Sequence, residues 1–251
     1  MLKHGPFEIG FAAAPGQVRG GEPSQDALEM VLPGFLQAKP ALLLVADGIG
    51  GASGGEVASR LVARTIRSQH LQSSIKDDSQ RLLECIHAAH SAVRESAKAN
   101  PENYAMGTTL AAVVLRKDHL IAANLGDSRI YQFTSVLIQQ ISQDHTLVAE
   151  GVIPDPYTDT DAASLLEGDA LTMAVSSARK NVSPHLMKKK LHLNGVILLC
   201  TDGLWRSLPE SAIQEIVMDL PPQRAAYRLI DKANISGAQD DISVIVVRRR
   251  K

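Results

Sequence analysis

Only two cysteines occur in 251 residues, Cys85 and Cys200, too few for a disulfide framework and in keeping with two buried thiols in a reducing compartment. Charge of neither sign is in excess. The formal net charge is −1, which offers no broad attraction to nucleic acid or to an anionic membrane. No apolar run reaches the ~18 to 20 residues that cross a bilayer, and Met1-Leu2-Lys3-His4-Gly5-Pro6 lacks the apolar centre of a signal peptide. The expectation is a cytoplasmic chain with no membrane and no nucleic-acid partner. A Gly-rich phosphate loop, GxxxxGK[ST] or GxGxxG before a helix, is also missing, which argues against a Mg²⁺-dependent nucleotide enzyme. Internal repeats and low-complexity segments are absent. The eight His residues are scattered, and only His87 and His90 lie at metal-ligand spacing, with no third ligand nearby. The basic end Arg248-Arg249-Arg250-Lys251 reads as a solvated tail, since no aromatic or apolar face accompanies it.

The length suits one large domain, 1–251, with a full core. Phe7 to Ala14 and Asp26 to Leu32 read as strands joined by a Gly/Pro-rich connection through Arg19. After a linker through Pro40, the apolar run Leu42-Leu43-Leu44-Val45 reads as a strand buried on both faces. A helix follows Gly54-Gly55 with Val57, Leu61, Val62 and Ile66 on one face, and a second covers about Ser79 to Ala99 with Leu82, Ile86, Ala89 and Val93 in register. From Thr108 to Ile141 four short β-rich segments read as an antiparallel meander. About 144–190 the pattern weakens and reads as a partly helical, irregular flap. Val196 to Thr201 is a further strand, helices follow at about Pro209 to Asp219 and Gln223 to Asn234, and Ile242 to Val247 closes as a β-branched strand.

Chemistry concentrates where these strands run out. Asp47 ends the apolar run inside Val45-Ala46-Asp47-Gly48-Ile49-Gly50-Gly51, and the glycines let the backbone turn and free the Gly48 carbonyl for a ligand. A carboxylate and a carbonyl are hard oxygen donors of the kind Mg²⁺ and Mn²⁺ prefer, although an Asp-Gly can also be an ordinary turn. The same context recurs at Asp26, at Asp127 in Gly126-Asp127-Ser128-Arg129, at Asp202 in Cys200-Thr201-Asp202-Gly203, and at Asp240 before the last strand. Carboxylates brought together repel one another unless cations lie between them.

In this order the motifs resemble the metal-dependent serine/threonine protein phosphatases, the PPM or type-2C family, over nearly the whole chain. The pieces that carry the resemblance are the Asp47 segment with Gly54-Gly55-Glu56-Val57-Ala58-Ser59, Met106-Gly107-Thr108-Thr109, Gly126-Asp127-Ser128-Arg129-Ile130-Tyr131, Asp144-His145-Thr146, Leu198 to Leu204, and Asp240-Asp241-Ile242-Ser243-Val244. The resemblance implies an α+β fold, a four-layer α-β-β-α sandwich of two antiparallel sheets flanked by helices. It also implies two tightly bound Mn²⁺ or Mg²⁺ ions and a weaker third. Carried over, Asp47 bridges both metals, Gly48 offers its carbonyl to the second, and Asp202 and Asp240 complete the first. Asp26 anchors metal-bound water, and Asp127 with Asp202 holds the third ion. The implied reaction is hydrolysis of phosphoserine or phosphothreonine in phosphorylated proteins, targets of a Ser/Thr kinase, by a metal-activated hydroxide in a monomeric enzyme of signal transduction.

Three departures mark a small bacterial-type member. The family's phosphate-binding Arg stands five residues before the first Asp, where this chain has Gly21; Arg19, seven before Asp26, takes that role if the extra residues loop out. Ile49 stands where many eukaryotic members have a His and bacterial ones Met, and it has no proton to donate. Asp241 replaces the usual Asn. Thr172 to Lys180 fits the family poorly. The competing reading is a catalytically weak relative that binds phosphoproteins as a regulatory module; loss of metal-ligand positions would signal it, and none of the five Asp positions is lost.

Overall fold

Strands that are apolar on both sides must be covered on both sides, and that requirement generates the layers. The computed structural model describes residues 2–17, 23–32, 39–49, 54–152 and 170–250. One sheet has six strands, in the order β1 (Leu2–His4), β2 (Phe7–Ala14), β14 (Ile242–Arg249), β13 (Val196–Cys200), β9 (Arg129–Phe133) and β10 (Ile138–Gln140). The other has five, β12 (His185–Lys190), β8 (His119–Leu125), β7 (Leu110–Leu115), β4 (Ala41–Ala46) and β3 (Ala27–Val31). Neighbouring strands in both are antiparallel. A small third sheet joins β11 (Val175–Ser176), β6 (Gly107–Thr108) and β5 (Gly48–Ile49).

In β4 the period of two sorts the side chains. Ala41, Leu43 and Val45 enter the core between the sheets, with Ile130, Ile197, Leu199 and Ile245 from the opposite sheet. Leu42, Leu44 and Ala46 face the helix layer formed by α1 (Gly54–Gln72) and α2 (Asp78–Ala99). Val196, Leu198 and Cys200 likewise face away from the inter-sheet core. They meet the other helix layer, a single turn α3 (Asp202–Trp205) followed by α4 (Glu210–Asp219) and α5 (Pro222–Ile235). The result is the four-layer α-β-β-α sandwich, and each fully buried Leu in it adds about 2 kcal/mol.

Several elements differ from the sequence reading. The buried stripe of α1 runs through Ala58, Val62 and Ile66, and Val57 is exposed, because the small Ala58 and Ser59 let the helix approach the sheet closely. The expected four-strand meander is two hairpins in different sheets: β7 pairs with β8, whereas β9 pairs with β10 and β13. The irregular region is shorter than 144–190, since its last six residues form β12 on the edge of the five-stranded sheet, and its described parts hold no helix. The β1 hairpin and the small sheet are too short to leave a pattern in sequence. The basic end is not a free tail. Arg248 lies in β14 and its guanidinium donates to the carbonyls of Val217, Met218 and Leu220 at 2.7 to 2.9 Å, closing the C-terminal turn of α4, while Arg250 pairs with Glu8.

Gly126 makes the crossing from one sheet to the other. It has φ +90°, and a Cβ there would stand 2.7 Å from Thr109 Cγ2. His145 braces the same residue from the other side: Gly126 N–H donates to His145 Nδ1, and His145 N–H donates to the Gly126 carbonyl at 3.1 Å. Gly126→Ala is therefore expected to lower stability by roughly 2 to 3 kcal/mol, a Tm decrease of about 5 to 10 °C. Thermal denaturation of the variant with an unchanged Tm would show that the crossing tolerates a side chain.

Candidate active site

Antiparallel pairing brings the acidic residues to one edge. Ala27 at the start of β3 pairs with Ala46 at the end of β4, so Asp26 and Asp47 leave their strands side by side. Cys200 at the end of β13 pairs with Val244 near the start of β14, which places Asp202 beside Asp240. The sandwich then superposes the two pairs. Carboxylate oxygens of Asp47, Asp202 and Asp240 lie within 4.8 Å of one another.

The backbone beneath them is held by hydroxyl and amide groups. Asp47 N–H donates to Thr109 Oγ1 at 2.9 Å, and the Asp47 carbonyl accepts from Thr109 N–H and Thr108 Oγ1, both at 2.8 Å. Gly48 pairs with Thr108 in the small sheet and packs so closely on α1 that a Cβ would fall 2.3 Å from the Gly55 carbonyl oxygen. Thr201 Oγ1 donates to Asp26 Oδ2 at 2.9 Å and accepts from Ser243 N–H. Asp241 accepts Gly16 N–H on Oδ1 at 2.9 Å and Gln25 N–H on Oδ2 at 2.6 Å, so one carboxylate ties both ends of the connection that precedes Asp26.

Massing these anions away from water disfavours their ionised forms. Burial raises Asp26 to about 7, and the Asp241 and Asp202 charges push the same way. Burial likewise raises Asp127 to about 7, and it lifts Asp47 and Asp202 above the usual carboxylate range, reinforced in Asp47 by Asp26 and Asp202. Asp26 Oδ1 and Asp202 Oδ1 are buried with no hydrogen-bond partner. Unpartnered carboxylate oxygens, all-oxygen donors and unrelieved repulsion together fit a hard divalent cation.

Beside this cluster stands a second arrangement. The Arg206 guanidinium reaches Asp202 Oδ2 through Nε at 2.9 Å and Asp127 Oδ2 through Nη2 at 3.3 Å. It lies over the ring of Trp205, 4.7 Å from the centroid, and the Trp205 indole N–H donates to the Asp127 carbonyl at 3.0 Å. Arg129 covers the same ring at 3.5 Å and forks onto Asp144 at 2.7 and 2.9 Å. A cavity of about 510 Å³ opens here, lined by Asp202, Gly203, Arg206, Ser207, Ser236, Gly237, Gln239 and Asp240.

Residues 15–226 match the family described as Protein phosphatase 2C. The chain belongs to that family. It is 28% identical over 216 residues to the serine/threonine phosphatase stp of Listeria innocua, covering 84% of this chain and 85% of the relative. Its fold is similar to the crystal structure of the Mycobacterium tuberculosis serine/threonine phosphatase PstP/Ppp, with a TM-score of 0.81, 27% identity, and coverage of 98% of this chain and 99% of that one. It is equally similar to the PstP catalytic domain in complex with two manganese ions, at TM-score 0.80, 27% identity and the same coverage.

Within this protein phosphatase 2C sandwich the structure gathers Asp26, Asp47, Asp202 and Asp240 at one edge and sets Asp127 against Arg206. Arg19 lies outside the described residues. Asp241, which replaces the usual Asn, accepts backbone N–H groups on both oxygens while its charge adds to the push on Asp26. Ile49 sits in β5, and His90 Nε2 contacts the carbonyls of Ser176 and Arg179. Sequence reasoning missed Arg206 and Trp205. The signal was present in the i, i+4 spacing of Asp202 and Arg206 on one helical turn.

Raised carboxylate pKa values give a stability prediction for the metal-free protein. A group protonated more readily when folded stabilises the fold below its unfolded pKa, and that contribution is lost as pH rises through its folded value. Between pH ~4 and ~7 the metal-free fold therefore loses stability, and with chelator Tm is expected to be higher at pH 5.5 than at pH 8 by roughly 5 °C. Mn²⁺ added at pH 8 should close the gap. A Tm in chelator that rises toward pH 8 would show that the cluster is not under charge strain.

Proposed function

We propose that this chain is a single-domain, metal-dependent protein phosphatase that hydrolyses phosphoserine and phosphothreonine in proteins. The observation that carries the reading is the convergence of Asp47, Asp202 and Asp240 within 4.8 Å at the edge of a protein phosphatase 2C sandwich. In this reading Asp47, the Gly48 carbonyl, Asp202 and Asp240 would hold two ions, Mn²⁺ or Mg²⁺, with Asp47 shared between them. When bound, such ions lower the pKa of water and offset charge on the phosphoryl oxygens.

The chain's own groups hold and orient. Asp26, steadied by Thr201 Oγ1, is placed to accept a hydrogen bond from water at the cluster. Arg19 is the proposed two-pronged phosphate anchor, delivered by the connection whose ends Asp241 holds. Ile49 provides no proton, so the departing oxygen takes its proton from water. The environment of Asp127 does not fit a third, weaker ion, because Arg206 already pairs with both carboxylates that would hold it. No described helix is long and apolar enough to cross a membrane. A monomer acting in the cytoplasm on the phosphorylated targets of a Ser/Thr kinase completes the reading.

Hydrolysis of p-nitrophenyl phosphate and of a phosphothreonine peptide, with Mn²⁺ and with chelator, tests it. Asp47→Asn and Asp202→Asn are each expected to lower kcat by roughly a thousandfold or more, about 4 kcal/mol of transition-state stabilisation, with the circular dichroism of the fold retained. Activity within tenfold of wild type in either variant, or full activity in chelator, would sink the dinuclear reading; inactivity of the wild type on both substrates would favour a phosphoprotein-binding module.

A further inference from the structure

We infer that the Arg206 guanidinium is a built-in cation in the place of a third metal ion, fixed between Asp127 and Asp202 at the rim of the catalytic cavity. The inference rests on the dinuclear reading above and goes beyond it. Three independent constraints hold the guanidinium. Asp202 and Arg206 lie four residues apart on one turn, with Arg206 N–H bonded to the Asp202 carbonyl at 2.9 Å, so the side chain folds back onto Asp202 Oδ2. Its other edge meets Asp127 Oδ2 at 3.3 Å. Its face lies on Trp205, which is itself clamped by Arg129 and by the bond from its indole N–H to the Asp127 carbonyl. The Asp127 side chain is 7% exposed and that of Asp202 14%, so an unpaired charge at either would be costly.

Charge accounting points the same way. Five carboxylates, Asp26, Asp47, Asp127, Asp202 and Asp240, surround the site. Two divalent ions fall short of these charges, and the guanidinium supplies a further cation where Asp127 and Asp202 meet. A cation already between Asp127 and Asp202 also repels a divalent ion approaching the same oxygens. Arg206 differs from a metal in one chemical respect. It lines the cavity but keeps its proton at every physiological pH, so it can offset negative charge there without acidifying a water.

Mn²⁺ titration by calorimetry and by electron paramagnetic resonance, with kcat on a phosphothreonine peptide as a function of Mn²⁺, decides the matter. Wild-type protein is expected to bind two Mn²⁺ and to show one saturation phase in kcat. Arg206→Ala is expected to bind a third, weak Mn²⁺ in the millimolar range, to lose roughly tenfold or more in kcat at low metal, and to recover part of it in a second Mn²⁺ phase or with added guanidinium. Arg206→Lys should keep two ions and one phase, and Arg206→Gln, which removes the charge but keeps a polar side chain longer than alanine, should repeat the alanine result if Arg206→Ala folds poorly. Trp205, the sole tryptophan, reports filling of the new site through quenching by Mn²⁺. Three ions on the wild type, or Arg206→Ala and Arg206→Gln with two ions and only a raised KM, would overturn the inference, the second result making Arg206 a phosphate anchor. Wild-type protein that binds no Mn²⁺ would overturn the dinuclear reading itself.

Discussion

Mutual repulsion among clustered, mostly half-buried carboxylates is the constraint on which this edge depends. Left free, a chain would turn these side chains into water. Here the backbone forbids it: Asp47 is held at N–H and carbonyl by Thr108 and Thr109, and Asp26 is fixed at its carboxylate by Thr201. The strands behind them carry fully buried Leu42, Leu43, Leu44, Leu198 and Leu199, and their packing supplies the stability that the strained edge consumes. Fold and site thus pull in opposite directions. A sandwich with two helix layers has enough core to tolerate the conflict, which a divalent ion relieves.

The same reasoning accounts for the Asp at position 241. Two backbone N–H groups, from Gly16 and Gln25, point at its two carboxylate oxygens. An ionised carboxylate is acceptor-only and satisfies both, and such bonds are among the stronger ones. An amide in that orientation would offer one acceptor and turn an NH₂ against the other N–H. The carboxylate here therefore suits a connection pinned at both ends, although its charge still reaches Asp26.

Long, one-pattern elements were legible in sequence. The apolar runs Leu42–Val45 and Val196–Cys200 gave strands, the spacing of Leu82, Ile86, Ala89 and Val93 gave α2, and the ordered Asp motifs identified the family and the sandwich. What failed depended on partners remote in sequence. Nothing local tells that β8 and β9, separated only by Gly126, Asp127 and Ser128, belong to different sheets. The arginines at 248 to 250 look like a tail until the carbonyls of α4 and Glu8 appear beside them. Arg206 was hidden for a different reason: one helical turn is too short to stand out by periodicity, so only its i, i+4 spacing from Asp202 marks the pairing.

The proton inventory around the cluster shapes the chemistry that remains. Ile49 has no ionisable proton. Arg206 has several but releases none below pH ~12. His145 accepts Gly126 N–H on Nδ1, and burial lowers its pKa, so near neutral pH it is a neutral brace for the sheet crossing rather than an acid. Among the described residues at this edge, Ile49, Arg206 and His145 thus deliver no proton near neutral pH, and the carboxyls of Asp26 and Asp127, raised to about 7 while no cation offsets them, give theirs up once a divalent ion is bound. On the proposed reading, a site of that kind would lower the barrier by stabilising negative charge on the phosphoryl group and would leave protonation of the departing oxygen to water, which would tie the rate to the basicity of the leaving serine or threonine oxygen.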